Sequence, residues 1–203
     1  MANKSLAKSP TELTILVTGG AGFIGSHTCV ELLAKGFNVV IVDDLSNSSE
    51  VAVERVRKIA GVGADRCAFH EANILDRDAM EAIFAEHDVD AIIHFAGFKA
   101  VGESVQKPLE YYWNNIAGTL VLCDVARNHG VKNIVFSSSA TVYGEPEFVP
   151  ITEECPKHSA TNPYGQTKTM LEQVLTDLYV GDNEWNVVLL RYFNPIGAHE
   201  SGL

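Results

Sequence analysis

The feature that most constrains the fold is an alternation, from Leu13 onward, of short apolar runs with longer segments of helical period. The runs predicted as strands are residues 13–18, 38–43, 66–71, 90–96, 132–138 and 186–192. Several are apolar almost throughout, as parallel strands covered on both faces should be. Helices are predicted at about 23–35, 48–60, 76–87, 108–129 and 163–180. This alternation predicts an α/β fold, a doubly wound parallel sheet with right-handed crossovers.

The chain is long enough for one sizeable core, with 203 residues of which 46% are hydrophobic. We expect a single domain over residues 11–203, preceded by a loose tail over residues 1–10. That polar start lacks the hydrophobic core of a secretory signal, and no apolar run approaches the ~20 residues of a membrane span.

The charge and the cysteines exclude several classes of function. A formal net charge of -11 disfavours nucleic acid as a partner, since a phosphate backbone would be repelled, so any bound phosphate must be held locally. The cysteines at 29, 67, 123 and 155 have no paired spacing, so neither a zinc cluster nor a redox dithiol is indicated and no metal is expected. Reduced cysteines in a cytoplasmic protein are the favoured interpretation.

A glycine-rich segment, "TGGAGFIG", directly follows the first predicted strand and opens the first predicted helix. Gly19, Gly22 and Gly25 permit a tight turn and let backbone amides approach a pyrophosphate at the helix N-terminus. A glycine-rich turn without a ligand is the alternative. The second strand ends in Asp43, where a carboxylate accepts hydrogen bonds from a ribose 2′-hydroxyl and repels a 2′-phosphate, so NAD is favoured over NADP. Its neighbour Asp44 is expected to be solvated.

A serine, a tyrosine and a lysine form the candidate catalytic group. The fifth strand ends in "FSSSATVYG", which places Ser139 at the carboxyl edge of the sheet. In "NPYGQTK", Asn162 is the predicted N-cap, and Tyr164 and Lys168 lie one turn apart on one helix face. A phenol titrates near ~10, and a close lysine ammonium together with an oxidised nicotinamide would favour its ionised form. A plain exposed helix face can also carry this pair.

Five segments together resemble the extended short-chain dehydrogenase/reductases and, within them, the UDP-glucose 4-epimerase family. They are "TGGAGFIG", "FAGFKAVGESVQKPLEYYWNN", "FSSSATVYGEP", "NPYGQTK" and "RYFNPIGAH". The resemblance runs from about Thr14 to the end of the chain. The second and fifth segments are far more selective than the glycine loop.

The resemblance implies roles for matching residues. Tyr164 would be the acid and base on the sugar 4-hydroxyl, Lys168 would bind the nicotinamide ribose and tune Tyr164, and Ser139 would hydrogen-bond the same hydroxyl. The implied cofactor-binding residues are Gly19, Gly22, Phe23, Ile24, Gly25, Asp43, Asn47, Ser48, Asn73, Ile74, Phe95, Ala96, Gly97, Lys99, Asn114, Tyr164, Lys168 and Phe193. The implied substrate-binding residues are Lys99, Ser139, Tyr164 and Asn194.

Two of these residues carry a qualification. Asn73 stands where the family more often has an aspartate beside the adenine, so altered adenine contacts are expected without loss of binding. Lys99 has a solvated loop lysine as its alternative interpretation.

The implied activity is a reversible inversion at C4 of a UDP-hexose through a transient 4-keto sugar, with NAD as bound cofactor and a homodimer formed through the helices at 108–129 and 163–180. The family continues for well over a hundred residues past this point, so these 203 residues alone are expected to bind NAD poorly and turn over slowly.

A nucleotide-sugar 4,6-dehydratase is an alternative, disfavoured because Ala140 and Thr141 follow Ser139 where an Asp-Glu pair is usual. A non-catalytic dinucleotide-sensing module is another.

Overall fold

The computed structural model describes residues 8–203, which fold around one six-stranded parallel sheet with the order β3-β2-β1-β4-β5-β6. The strands are β1 Thr14–Thr18, β2 Asn38–Asp43, β3 Cys67–Glu71, β4 Ala91–His94, β5 Asn133–Ser139 and β6 Asn186–Tyr192. The order reverses between β1 and β4, and ligands of such sheets bind at this switch point, outside the carboxyl ends of the strands. The predicted fold class is confirmed.

The helices lie between the strands, as the sequence predicts. They are α1 Phe23–Ala34, α2 Glu50–Ala60, α3 Arg77–Glu86, α4 Val101–Gln106, α5 Pro108–Tyr112, α6 Gly118–Asn128 and α7 Pro163–Gly181. The short helix α4 is not among the predicted elements. The strand predicted over 90–96 ends at His94, because Phe95 and Ala96 turn into the loop that borders the site.

Both faces of the sheet are covered by apolar cores. Along β1, Leu16 belongs to the core that includes residues of α3 and α6, whereas Ile15 and Val17 belong to the core that includes residues of α1 and α2. Successive side chains of a strand point to opposite faces, so an apolar run such as "TILVT" is what two covered faces require.

The helix predicted over 108–129 is interrupted. A π-helical turn at Trp113–Ala117 joins α5 to α6, and it buries both Asn114 and Asn115. Such turns are rare and occur frequently at functional sites. The predicted stop is confirmed, since α6 ends at Asn128 and Gly130 adopts a φ of 73°.

Of the tail predicted over residues 1–10, residues 1–7 lie outside the described part. Lys8 is held in place: its Nζ lies 2.6 Å from Asp90 Oδ1 and 3.2 Å from Asp88 Oδ2. In residues 8–203, no helix has the length and apolar character needed to cross a bilayer.

Candidate active site

The loop after β1 and the first turn of α1 pass so close to neighbouring backbone atoms that two positions accept only glycine. Gly19 has a φ of 69°, and a Cβ there would lie 2.6 Å from the backbone nitrogen of Ala96. A Cβ on Gly25 would lie 2.2 Å from the carbonyl oxygen of Gly19. Gly22 is the N-cap of α1 and offers no side chain to the helix terminus. The first amides of α1 therefore stay available to an anionic ligand.

Asp43, at the end of β2, is buried rather than an exposed strand end. Its carboxylate accepts hydrogen bonds from the backbone nitrogens of Ala21 (3.0 Å) and Leu45 (3.1 Å) and from Ser48 Oγ (2.7 Å). A carboxylate has about four lone-pair sites, so three protein donors leave room for a ribose hydroxyl. Asp43 thus joins the glycine loop to the loop after β2.

Asn73 uses its amide within the protein. Its Nδ2 donates to Asp44 Oδ2 at 2.8 Å, and its Oδ1 accepts from the Leu75 backbone nitrogen at 2.9 Å. The sequence predicted a solvated Asp44. The structure differs, because the Asn73 amide bonds to the Asp44 carboxylate and Asp44 lines the cleft.

Helix α7 carries the tyrosine and the lysine. Asn162 caps the helix by accepting from the Gly165 backbone nitrogen at 2.8 Å, as its sequence position predicts. Lys168 is 5% exposed, and its Nζ donates to the Ser137 carbonyl at 2.7 Å and lies 5.9 Å from the centroid of the Tyr164 ring. Burial lowers the pKa of Lys168 to about 8.

The surroundings of Tyr164 in the protein raise its pKa overall. Burial raises the pKa of this phenol, and the nearby Ser139 hydroxyl acts in the opposite direction. Ser139 is buried at the end of β5, where its Oγ accepts from the Thr141 backbone nitrogen at 3.3 Å. The lowering predicted from the sequence therefore needs more positive charge near the phenol than Lys168 provides.

Asn115 is a positioning residue that the sequence analysis missed. Its Oδ1 accepts from the Phe98 backbone nitrogen at 2.8 Å, while its Nδ2 donates to the Phe98 carbonyl at 2.9 Å and to Thr167 Oγ1 at 3.1 Å. It thereby fixes the loop after β4 to α7. The available signal was a second amide beside Asn114 in an otherwise apolar helix.

Glu172 was also missed. It is fully buried one turn beyond Lys168 and accepts from Ser138 Oγ at 2.6 Å, from Lys157 Nζ at 3.2 Å and from two nitrogens of Arg191, each at 2.9 Å. This network joins α7 to the end of β5, at Ser138 next to Ser139, and to the end of β6, at Arg191. The signal was the i+4 spacing of Tyr164, Lys168 and Glu172, which places all three on one helix face.

These elements enclose one cleft of about 400 Å³ at the carboxyl ends of the strands. Every predicted site residue lines it except Ser48 and Asn73, which instead bond to Asp43 and Asp44. The predicted residues that line it are Gly19, Gly22, Phe23, Ile24, Gly25, Asp43, Asn47, Ile74, Phe95, Ala96, Gly97, Lys99, Asn114, Ser139, Tyr164, Lys168, Phe193 and Asn194. A side-chain-free loop, a helix N-terminus and an acidic strand end fit the pyrophosphate and ribose of a dinucleotide.

The parallel sheet, the glycine loop at its switch point, and a serine, tyrosine and lysine in the same cleft together define the Rossmann-type class of short-chain dehydrogenase/reductases. Within that class, the chain belongs to the NAD dependent epimerase/dehydratase family, whose sequence model matches residues 15–202.

Individual relatives are close in sequence and in structure. The chain is 62% identical over 190 residues to the UDP-glucose 4-epimerase of Bacillus subtilis, covering 94% of this chain and 55% of the relative. The UDP-glucose 4-epimerase of Bifidobacterium longum, solved in complex with NAD+ and UDP, superposes with a TM-score of 0.91 at 57% identity, over 93% of this chain and 56% of that one. The UDP-Glc/GlcNAc 4-epimerase of Campylobacter jejuni has a TM-score of 0.82 at 38% identity, over 89% and 53%. The chain thus spans about half the length of its relatives.

Proposed function

We propose that this chain carries the NAD-binding and catalytic part of a UDP-glucose 4-epimerase, which interconverts UDP-galactose and UDP-glucose through a transient 4-keto sugar. The observation that carries the proposal is that Ser139, Tyr164 and Lys168 line the same cleft as the glycine loop. The identity of 62% to an epimerase of that name supports it.

In this mechanism, the ionised phenolate oxygen of Tyr164 takes the proton from the sugar 4-hydroxyl and later returns it, which regenerates the phenolate. Ser139 orients that hydroxyl by a hydrogen bond, and Lys168 holds the nicotinamide ribose. When bound, NAD would supply the reversible hydride acceptor for C4, and its oxidised ring would bring a positive charge into the cleft. Because burial raises the pKa of Tyr164, that charge is what makes the phenol a usable base.

The backbone of the glycine loop would hold the pyrophosphate of the cofactor, and Asp43 would bind its adenosine ribose. Phe95, Ala96 and Gly97 border the nicotinamide side, because they directly follow β4 at the switch point. Asp43 and Asp44 together oppose a 2′-phosphate, which supports NAD as the cofactor.

We assign residues 11–203 to the NAD-binding domain and place the UDP-sugar near Lys99 and Asn194 at the rim of the cleft. Phe193 is 58% exposed, so this rim is open to solvent.

A homodimer and a cytoplasmic location complete the proposal. Apolar side chains on α4 to α7 and the π-helical turn are exposed: Val105 at 62%, Leu109 at 75%, Trp113 at 65% and Met170 at 43%. A surface of this kind is typical of a protein interface. The four cysteines are all free and buried, which is compatible with a reducing compartment.

The test is to incubate the NAD-supplied protein with UDP-galactose and separate the products by chromatography. UDP-glucose is the expected product, formed slowly. A 4-keto-6-deoxy sugar would identify the dehydratase reaction instead, although Ala140 and Thr141 supply no carboxylate for it. A folded, NAD-bound sample that yields no product would favour a dinucleotide-sensing module.

A further inference from the structure

A cluster of metal-ligating side chains lies outside the candidate active site, at the opposite edge of the sheet from β6. His70 belongs to the edge strand β3, and His87 directly follows the last residue of α3. Their Nε2 atoms are 2.8 Å apart, and the two rings meet edge to face at 73°. Glu86 Oε1 lies 3.8 Å from His87 Nε2. Two imidazole nitrogens and one carboxylate oxygen therefore converge.

The electrostatic surroundings favour a cation at this point. The carboxyl end of α3 contributes the partial negative charge of its last carbonyl groups. Within residues 8–203, Glu86 forms no ion pair with a lysine or arginine, and its side chain is 65% exposed. The net charge of -11 adds attraction from the whole molecule.

We propose that His70, His87 and Glu86 bind one divalent transition metal ion, with Zn²⁺ as the representative case and water completing the coordination. Two nitrogens and one oxygen suit Zn²⁺, Ni²⁺ or Cu²⁺, whereas Mg²⁺ and Ca²⁺ prefer all-oxygen sites. Tetrahedral bonds of about 2 Å hold neighbouring ligand atoms roughly 3.3 Å apart. The Nε2 atoms thus need to separate by only about half an ångström from their 2.8 Å contact.

The ion would act as a clamp between β3 and α3. Both histidines are partly buried, one within β3 and the other directly after α3, so little order has to be gained on binding. Among the described residues, neither ring bonds to a protein group beyond this cluster, so no outer partner fixes the ring orientation. We therefore expect moderate affinity and a role in stability, because the folded chain holds the three ligands together and binds the metal more tightly than the unfolded chain does.

Zinc titration of the EDTA-treated chain, followed by calorimetry, tests the proposal. We expect Zn²⁺ to bind at one ion per chain and to raise the melting temperature. Mg²⁺ should neither bind at this site nor change the melting temperature. His87→Gln and His70→Gln should each weaken binding by about tenfold or more, and Glu86→Gln by less. His129→Gln is the matched control, because His129 contacts Glu81 at 2.7 Å without a second histidine, and it should leave zinc binding unchanged.

The wild-type chain alone also decides the question if a variant fails to fold. Cu²⁺ bound to it should show coupling to two imidazole nitrogens in its electron paramagnetic resonance spectrum. Absence of zinc binding to the wild type, or undiminished binding by folded His70→Gln/His87→Gln, would overturn the proposal.

Discussion

Replacing Lys168 by methionine should stabilise the protein at pH 7 while damaging the site. Lys168 is 5% exposed, and burial lowers its pKa from 10.5 to about 8. At about 1.36 kcal/mol per pH unit, keeping this group charged at pH 7 costs roughly 3 kcal/mol. Methionine has a similar shape and removes that cost, but it gives up the charged hydrogen bond to the Ser137 carbonyl, worth about 2 kcal/mol. We expect a net gain of about 1 kcal/mol.

The pH dependence of this effect has a definite sign. The unfolded chain keeps the Lys168 proton up to about pH 10.5, whereas the folded chain releases it near pH 8. Between these values the unfolded state binds more protons, so this lysine makes wild-type stability rise with pH. The advantage of Lys168→Met should therefore be largest at and below pH 7 and shrink from pH 8 upward.

Urea unfolding, followed by circular dichroism at pH 7, 8 and 9, measures both effects. Cysteine thiols of the unfolded chain also titrate in this range, so the difference between variant and wild type at each pH is the informative quantity. Lys58→Met is the matched control, since Lys58 is exposed on α2 and should change stability little. A Lys168→Met protein that is less stable than wild type at pH 7, or whose difference does not vary with pH, would refute the reasoning.

Three further predictions concern the loop, the buried network and the cofactor. Gly25→Ala should weaken NAD binding about tenfold or more, because the added Cβ would lie 2.2 Å from the Gly19 carbonyl oxygen. Gly102→Ala is the control and should leave NAD binding unchanged, because a Cβ there would meet no atom within 4 Å. Fluorescence titration with NADH compares the two variants. Glu172→Gln should cost about 3 kcal/mol in urea unfolding, since Arg191 loses its charged partner, and an unchanged midpoint would contradict this. Asp43→Asn should narrow the preference for NADH over NADPH in the same titration, and an unaltered ratio would exclude Asp43 as its source.

The fold was predictable because each element carries its own local signal. The apolar strands, the glycine loop and the Asn162 cap depend on nearest-neighbour chemistry, and all are found within one or two residues of where the sequence places them. The break in the helix over 108–129 was not predictable, because a π-helical turn leaves the apolar spacing almost intact, and the partners of Asn115, which are Phe98 and Thr167, lie in distant segments.

Site residues that belong to one short sequence motif were predictable. Contacts between side chains from distant segments of the chain were not. Tyr164 and Lys168 lie four residues apart, so their shared face follows from helix geometry. The Glu172 network draws on Ser138, Lys157 and Arg191. The His70–His87 contact likewise joins two elements, and no spacing in the sequence announces it.

The most direct test of the proposed mechanism compares wild type with Tyr164→Phe in the UDP-galactose assay, with NAD binding measured on the same samples. The variant removes one hydroxyl and keeps the ring that lines the cleft. We predict that Tyr164→Phe binds NAD as the wild type does and forms no UDP-glucose, while the wild type forms it. UDP-glucose formation by Tyr164→Phe at the wild-type rate would contradict the account.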